Sequence, residues 1–557
     1  MLHRIRRPHW RRIAMLALAA VGVLLAAACS SGGSQQAAGN GSGSGALDLA
    51  YANNIPFTSD FNPFSPTSQQ PAQGLIYEPL WFFDMGDAAQ THPWLATSYA
   101  WSDGGKTVTF DLRHNVKWTD GTPFTSADVA YTFNLMKSNR ALNESALPIA
   151  SAVTEGPYKV AINFSVSSYT DINYIAGTTY IVPEHIWKSV SDPTTYQDPN
   201  PVGTGPYEVS SVSGTAMVLI ANPHYYQPGL PKIKTLRYLY YSGNNSIDLA
   251  IESGSVGYAG AYIPNIKQVY ETKNPNYHVY GIPAAIMNIV PNMVSGPTAS
   301  LPVREAISDA INRNFISQDV YDGLVGPVNQ TALVQPLFSE ITNPALDKPF
   351  PYNVSLAKKT LEAAGYTMGS NGIFTKNGSE LSVSVQVPSA YTDYVAVLQI
   401  MEQEMKAAGI NMTIDAESVS QFSSNRSNGN FQMVIGYYGF TSSPYVYYKN
   451  ILDSQGIPAI GSLDTAGNFG RYNNPTVNSL LNSIATTPNT SAQRPDFYQI
   501  ESIVAQQLPI IPVTDQQGDT EFNGNIVTGE PTPSDPYAGY GVGPDVAWMT
   551  PRLSLVG

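Results

Sequence analysis

The sequence predicts a mixed α/β protein of several domains, on three observations. The chain has 557 residues, too many for one hydrophobic core. Leu381, Val383, Val385 and Val387 alternate as a half-buried strand. The apolar stripe Val395, Leu398, Met401 and Met405 then marks a helix over 392–408, Gly409 stops it, and Met412 and Ile414 open another strand. Strand, helix and strand in succession imply a parallel or mixed sheet.

The other elements follow in chain order. Arg4 to Arg12 is basic, Ile13 to Ala28 is apolar but short of the ~20 residues of a spanning helix, and Cys29 follows three alanines. A secretory leader over 1–28 is expected. Ser30 to Gly45 is uncharged and rich in Ser, Gly, Gln and Ala, the composition of a flexible tether (29–45 with the cysteine). Leu47 to Tyr51 reads as a strand. The Pro- and Ser-rich stretch after Ile55 reads as a long loop before a helix near Gln73 to Tyr77. Asp103-Gly104-Gly105 marks a hairpin, with Val108, Phe110 and Leu112 on the buried face. In VKWTDGTPFTSADVAYTF (116–133) a turn feeds a helix, with Thr125 and Asp128 as a capping box and Val129, Phe133 and Met136 on one side. Tyr158, Val160, Ile162 and Phe164 alternate as a strand. A helix starts after Pro183.

In PVGTGPYEV (201–209) two glycines flank Thr204. Pro206 follows and no Lys-Ser/Thr appears, so turn and strand is read and a phosphate loop is excluded. Ser300 to Ile316 reads as one helix with Val303, Ala306, Ile307, Ala310 and Ile311 inward and Arg304 and Arg313 as cap or ion-pair residues. Phe431 to Gly436 is almost wholly apolar, as a central strand should be. It runs into YYGFTSSPYVYY (437–448), a loop of six aromatics with Gly439 and Pro444. Ligands of open α/β sheets bind beyond such strand ends. Tyr437, Tyr438, Gly439, Phe440, Thr441, Ser442 and Tyr445 are therefore candidate ligand contacts.

Several of these stretches closely resemble the oligopeptide-binding type of bacterial extracellular solute-binding protein, family 5, which serves ABC importers. They are WSDGGKTVTFDLRHN (101–115), the 116–133 stretch, PVGTGPYEV, 221–241, 251–260 (with Gly257 where the family usually has Asp), 300–316 and LPIIPV (508–513). The resemblance implies a bilobal periplasmic-binding-protein-like fold, with two mixed α/β lobes, a hinge of two crossings and an extra domain inserted in the first lobe. It places lobe I in 46–83, 201–292 and 512–557, the extra domain in 84–200 and lobe II in 293–511. It adds Phe57, Asp60 and Asn62 to the ligand candidates and makes Cys29 the lipidated N-terminus, although the family pattern prefers Leu where this chain has Ala26. A plain secretory signal is the alternative.

The implied function is capture of an extracellular oligopeptide or oligosaccharide and delivery to a permease and ATPase complex, by a monomer lipid-anchored outside the cell membrane. Peptide binders of the family carry an acid in the loop after the lobe II strand. Residues 437–448 have none, so an ammonium would need an acid such as Asp60 or Glu78. Aromatic faces with Ser and Thr hydroxyls suit a sugar.

Net charge is −13; without the five arginines before Ile13, 24 bases stand against 42 acids, −18. Such a surface is unsuited to nucleic acid. One cysteine allows no internal disulfide, the histidines show no metal-ligand spacing, and no catalytic motif is present, so no metal, cofactor or enzymatic activity is expected. Two alternatives stay open: an anchored glycan hydrolase, whose paired carboxylates would be spatial rather than sequential, and a receptor of the same fold without transport.

Overall fold

The computed structural model describes residues 45–51, 56–87, 90–326, 328–439, 441–464, 467–539 and 543–557. Its spine is a ten-stranded mixed sheet. At the centre, two long antiparallel strands, Tyr277–Pro291 and Ile511–Asn523, run in register from Tyr277 opposite Asn523 to Ile289 opposite Ile511. The second strand carries the lobe I half of the sheet on its edge: Tyr258–Ala259, Ala46–Tyr51, Thr235–Tyr240, Ala216–Ala221 and Tyr207–Val212, in that order. The first carries the lobe II half: Met433–Gly439, Ser382–Pro388 and Asn411–Glu417. Thus the backbone passes between the lobes twice, as two paired strands. Register shifts fall at Pro283/Ala285 and Met287/Asn288, near mid-strand. Pro283 has no N–H to give to a ladder, and a bulge is where a central strand tolerates that.

The lobes have separate cores. In lobe II, period-two alternation sends Met287, Ile289, Met433 and Ile435 into one cluster and Ile286, Val290 and Val434 into another, on the opposite face. Both faces are covered, which is why 431–436 reads as an unbroken apolar run. The Ser382–Pro388 and Asn411–Glu417 strands pair in parallel around the helix Thr392–Ala407, and Gly409 stops that helix at φ +82°. Lobe I shares one continuous core with the inserted domain, through residues such as Leu236, Trp94 and Phe110.

That domain is a four-stranded antiparallel sheet ordered Ala96–Ser102, Thr107–Leu112, Lys159–Phe164, Ile149–Thr154. The helix Ser126–Ser138 lies on it with Val129, Phe133 and Met136 buried. Thr125 and Asp128 form the expected capping box.

Three expected elements differ. Gln73 to Tyr77 is not helical: a single 3₁₀ turn, Gln70–Ala72, ends before Gly74, whose φ is +100° and where a Cβ would meet Ala547 Cβ at 2.4 Å. The 300–316 helix is two helices, Leu301–Ala310 and Arg313–Tyr321. Ile311 is extended between them, and Asn312 caps the second helix by accepting from the Phe315 N–H at 3.1 Å. The break serves the flanking arginines. Arg304 donates to the carbonyls of Thr298, Ala299 and Gln507, and Arg313 to those of Ser308 and Pro512, so both cap carbonyls, Arg304 tying its helix to the end of the helix Thr490–Gln507 and Arg313 tying the second helix to the return crossing. Neither lies within salt-bridge distance of a carboxylate among the described residues. The last difference concerns 437–448.

Candidate functional site

The three parallel strands of lobe II end together at Pro388, Glu417 and Gly439. That edge lies beside Ala285, where the first crossing strand arrives from lobe I, and it is the carboxyl end of the strands, where open α/β sheets bind ligands. Three groups of side chains stand on it. Tyr391 precedes the helix Thr392–Ala407. Arg426 is on the helix Val419–Asn428, which Ser418 caps by accepting from Gln421 N–H at 3.2 Å. Tyr437 and Tyr438 end the central strand.

Only part of 437–448 is loop. Strand continues to Gly439, and Pro444–Leu452 is a helix, started by Pro444 at its first position and by Ser443 accepting from the Val446 N–H. This corrects the expectation for its aromatics. Tyr447 and Tyr448 are core residues, 1% and 0% exposed, whose hydroxyls donate to the Ala332 and Thr331 carbonyls. Tyr445 is buried as well. Tyr438 donates to the Gly467 carbonyl at 2.7 Å and stacks on Phe469. Tyr437 alone of the described aromatics in this stretch keeps a large exposed surface, 45%. Thr441 accepts from the Ser443 N–H and Ser442 from Asn173 Nδ2. Phe440 and Cys29 lie outside the described residues.

The N-terminal candidates are held elsewhere. Phe57 is buried. Asp60 accepts from the hydroxyls of Ser65 at 2.8 Å and Thr67 at 2.7 Å, and Asn62 donates to the carbonyls of Pro193 and Tyr196, tying this loop to the segment that enters lobe I. Glu78 is fully buried and accepts from Trp94 Nε1 and the Tyr225 hydroxyl. Burial, partly offset by those donors, pushes its carboxyl up to about 7. Neither acid is free to meet an ammonium.

Two features escaped the sequence reading. The Arg426 guanidinium lies 4.6 Å from the Phe469 ring centroid and 5.6 Å from that of Phe422. Its Nε has no hydrogen-bond partner, and no carboxylate pairs with it, among the described residues. The second is a pair of acids on the return crossing, Asp515 and Asp519, each pushed up to about 7 by burial. An arginine four residues beyond a phenylalanine on a polar helix was the one available sequence signal for the first. Nothing local marked the second.

Comparison with known proteins sets this geometry in context. Residues 90–459 match the family model for bacterial extracellular solute-binding proteins, family 5. The chain belongs to that family. This family 5 solute-binding protein is 26% identical over 435 residues to the glutathione-binding protein GsiB of Escherichia coli (strain K12), covering 75% of this chain and 79% of that one. Its fold superposes on the mannohexaose-bound periplasmic oligopeptide-binding protein of Thermotoga maritima with a TM-score of 0.84 at 23% identity, over 92% and 98% of the two chains. It superposes on the oligopeptide-binding protein AppA of Bacillus subtilis, in complex with a nonapeptide, with a TM-score of 0.78 at 21% identity, over 92% and 99%.

Lobe II of this solute-binding protein touches both the inserted domain and lobe I. From the inserted domain Asn173 meets Ser442, and the Tyr174 hydroxyl donates to Asn450 Oδ1 at 3.3 Å. From lobe I the Tyr262 hydroxyl donates to the Val320 carbonyl at 2.7 Å and Asn244 Nδ2 to the Thr392 hydroxyl at 3.3 Å. Among the described residues, no group of three or more His, Cys, Asp or Glu is placed to hold a metal ion, and no helix is long and apolar enough to cross a membrane.

Proposed function

We propose that this protein is the lipid-anchored receptor of an ABC importer, capturing an extracellular oligopeptide between its lobes and handing it to the permease and ATPase complex. The observation that carries the reading is the pair of strands crossing between two separately cored lobes, with an aromatic rim and an unpaired arginine at the lobe II edge. Ligand contacts to both lobes favour the closed form, and the permease reads that form.

The division proposed is lobe I in 46–83, 201–292 and 512–557, the inserted domain in 84–200 and lobe II in 293–511, with Cys29 lipidated on the outer face of the membrane and 29–45 as tether. Tyr437, Tyr438, Thr441 and Ser442 remain contact candidates, joined by Tyr391 and Arg426. A guanidinium with no protein carboxylate among the described residues suits a ligand carboxylate. An oligosaccharide is the second reading, favoured by the exposed face of Tyr437.

A thermal-shift screen of di- to hexapeptides against oligosaccharides tests this, since a ligand of the closed form raises the melting temperature. A peptide hit is expected; a hit with oligosaccharides alone moves the assignment to sugar. Product from cello-oligosaccharides would overturn the binding role in favour of hydrolysis, and unchanged solute uptake after deletion of the cognate permease would favour a receptor without transport.

A further inference from the structure

On the return crossing Ile511–Asn523, Asp515, Asp519 and Glu521 are spaced by even numbers and share one face. Asp515 lies against lobe II: its N–H donates to the Gly326 carbonyl at 3.2 Å, and a Cβ on Gly326 would sit 3.0 Å from its Oδ2. Glu521 lies against lobe I, its Oε2 accepting from the Ala261 N–H at 3.2 Å. The buried Oδ1 of Asp519, Oε1 of Glu521 and Oδ1 of Asp248 have no hydrogen-bond partner among the described residues.

The elements packed around this face add acids and phenols. From lobe I, the helix Asn244–Glu252 contributes Asp248 and Glu252, the latter paired with Lys273 at 2.8 Å; Tyr262 and Tyr270 come from the segment that follows. From lobe II, the helix Arg313–Tyr321 and its cap contribute Asp319, Tyr321 and Asp322. The helix Thr392–Ala407 contributes Asp393, beside Tyr262 and Tyr321, and Tyr447 faces Asp515; Tyr394 of that helix lies on the other face of the strand, its hydroxyl donating to Gln516 Oε1 at 3.1 Å. The Tyr262 bond to Val320 and its ring contact with Tyr321 at 5.6 Å close the lobes within this set. Among the described residues, no Lys, Arg or His is among the groups acting on Asp248, Asp393, Asp515, Asp519 or Glu521.

We propose that closure of the lobes over the return strand is coupled to proton uptake by Asp515, Asp519 and Glu521, so that the closed form gains population as pH falls. Opened, the strand's carboxyls are hydrated and ionise in the ordinary range near ~4. Closed, they lose water and gain no base, which disfavours the charged form. Burial accordingly raises Asp515, Asp519 and Asp248 to about 7 and Asp393 to about 6, and Glu521 is raised further by burial and then by the neighbouring Asp519 and Asp248. The sign follows. Above these values both forms are ionised and closing is penalised; as pH falls from there toward the ordinary carboxylate range the closed form takes up protons and the penalty is relieved. The device belongs to the unliganded chain and does not depend on which solute is carried.

The test is energy transfer between dyes on the exposed positions Lys232→Cys in lobe I and Lys359→Cys in lobe II, in a Cys29→Ser background, from pH 8.5 to 5. The inter-lobe distance is expected to shorten as pH falls below about 7. In Asp515→Asn/Asp519→Asn, whose amides mimic the protonated acids, the change is expected to be less than half as large, with the alkaline value moved toward the closed one. A flat wild-type curve, or the same curve in wild type and variant, overturns the proposal. Should the double variant fail to fold, hydrogen exchange at the wild-type Asp515 amide decides: protection, corrected for intrinsic exchange, that rises on acidification supports the coupling, and constant protection refutes it.

Discussion

Gly203 and Gly205 offer the sharpest test of how the chain re-enters lobe I after the inserted domain. The Gly205 N–H donates to the Ile76 carbonyl at 2.8 Å and the Tyr207 N–H to that of Leu75 at 3.1 Å, so two backbones lie directly against each other. A Cβ on Gly203 would sit 1.9 Å from the Ile76 oxygen, and one on Gly205 2.3 Å from the Leu75 oxygen. Both obstacles are backbone atoms, so no side chain can swing aside. Relief needs a shift of more than an ångström, which stretches or breaks the Gly205 bond. Overpacking costs ~1–3 kcal/mol, and a buried amide bond lost with its partners left unsatisfied adds ~1–3 kcal/mol. About 3 kcal/mol for Gly203→Ala, at ~2–4 °C per kcal/mol in a large domain, is a fall in Tm of about 6–12 °C. Gly214→Ala is the control, because the nearest atom to its Cβ is Pro56 Cβ at 3.8 Å, an ordinary contact. Calorimetry or circular dichroism of the two variants reads the effect. A Gly203→Ala protein melting within 1–2 °C of Gly214→Ala would refute the close-approach account of PVGTGPYEV.

The rim and the buried acids give the remaining predictions. Tyr437→Ala should weaken the best ligand of the screen while lowering the ligand-free Tm by only a few degrees, since nearly half of its side chain is exposed; unchanged affinity would remove Tyr437 from the site. Arg426→Gln should weaken ligands that carry a carboxylate by about 10–100-fold, as expected for a charge-assisted hydrogen bond of ~1.5–3 kcal/mol, and spare neutral ones; equal losses for both, by calorimetry, would refute that assignment. Tyr448→Phe leaves the Thr331 carbonyl without its donor in a fully buried place and should cost ~1–3 kcal/mol in chemical denaturation. Glu501 is fully buried and accepts from the Asn343 N–H, and burial, then repulsion from Asp347, raises its carboxyl to about 8. Its ionised form therefore destabilises the fold as pH rises from the ordinary carboxylate range to about 8. The Tm of wild type relative to Glu501→Gln should fall from pH 5 to pH 8.5; a constant difference would show that Glu501 does not ionise there.

What the sequence determined by itself is everything carried by local periodicity and capping. Thr125 and Asp128 sit three residues apart, so the capping box and the helix behind it were legible. The alternation of Leu381 to Val387, the Met401 and Met405 stripe and Gly409 wrote out the strand-helix-strand unit, and the motifs from Trp101 to Val513 pointed to the family. Tertiary structure decided what depends on partners far away in the chain. The 300–316 stripe continues through Ile311, yet the helix breaks there because Arg313 bonds the Pro512 carbonyl, some 200 residues on. Tyr445 was read as a ligand aromatic, but the helix Pro444–Leu452 buries it together with Tyr447 and Tyr448, whose hydroxyls the carbonyls of Ala332 and Thr331 take. Asp60 and Glu78 were spent on neighbours in lobe I, while the acids of the crossing strand were brought between the lobes by pairing with Tyr277–Pro291. Periodicity records which way a side chain points along its own element; only the pairing of distant strands records what it then meets.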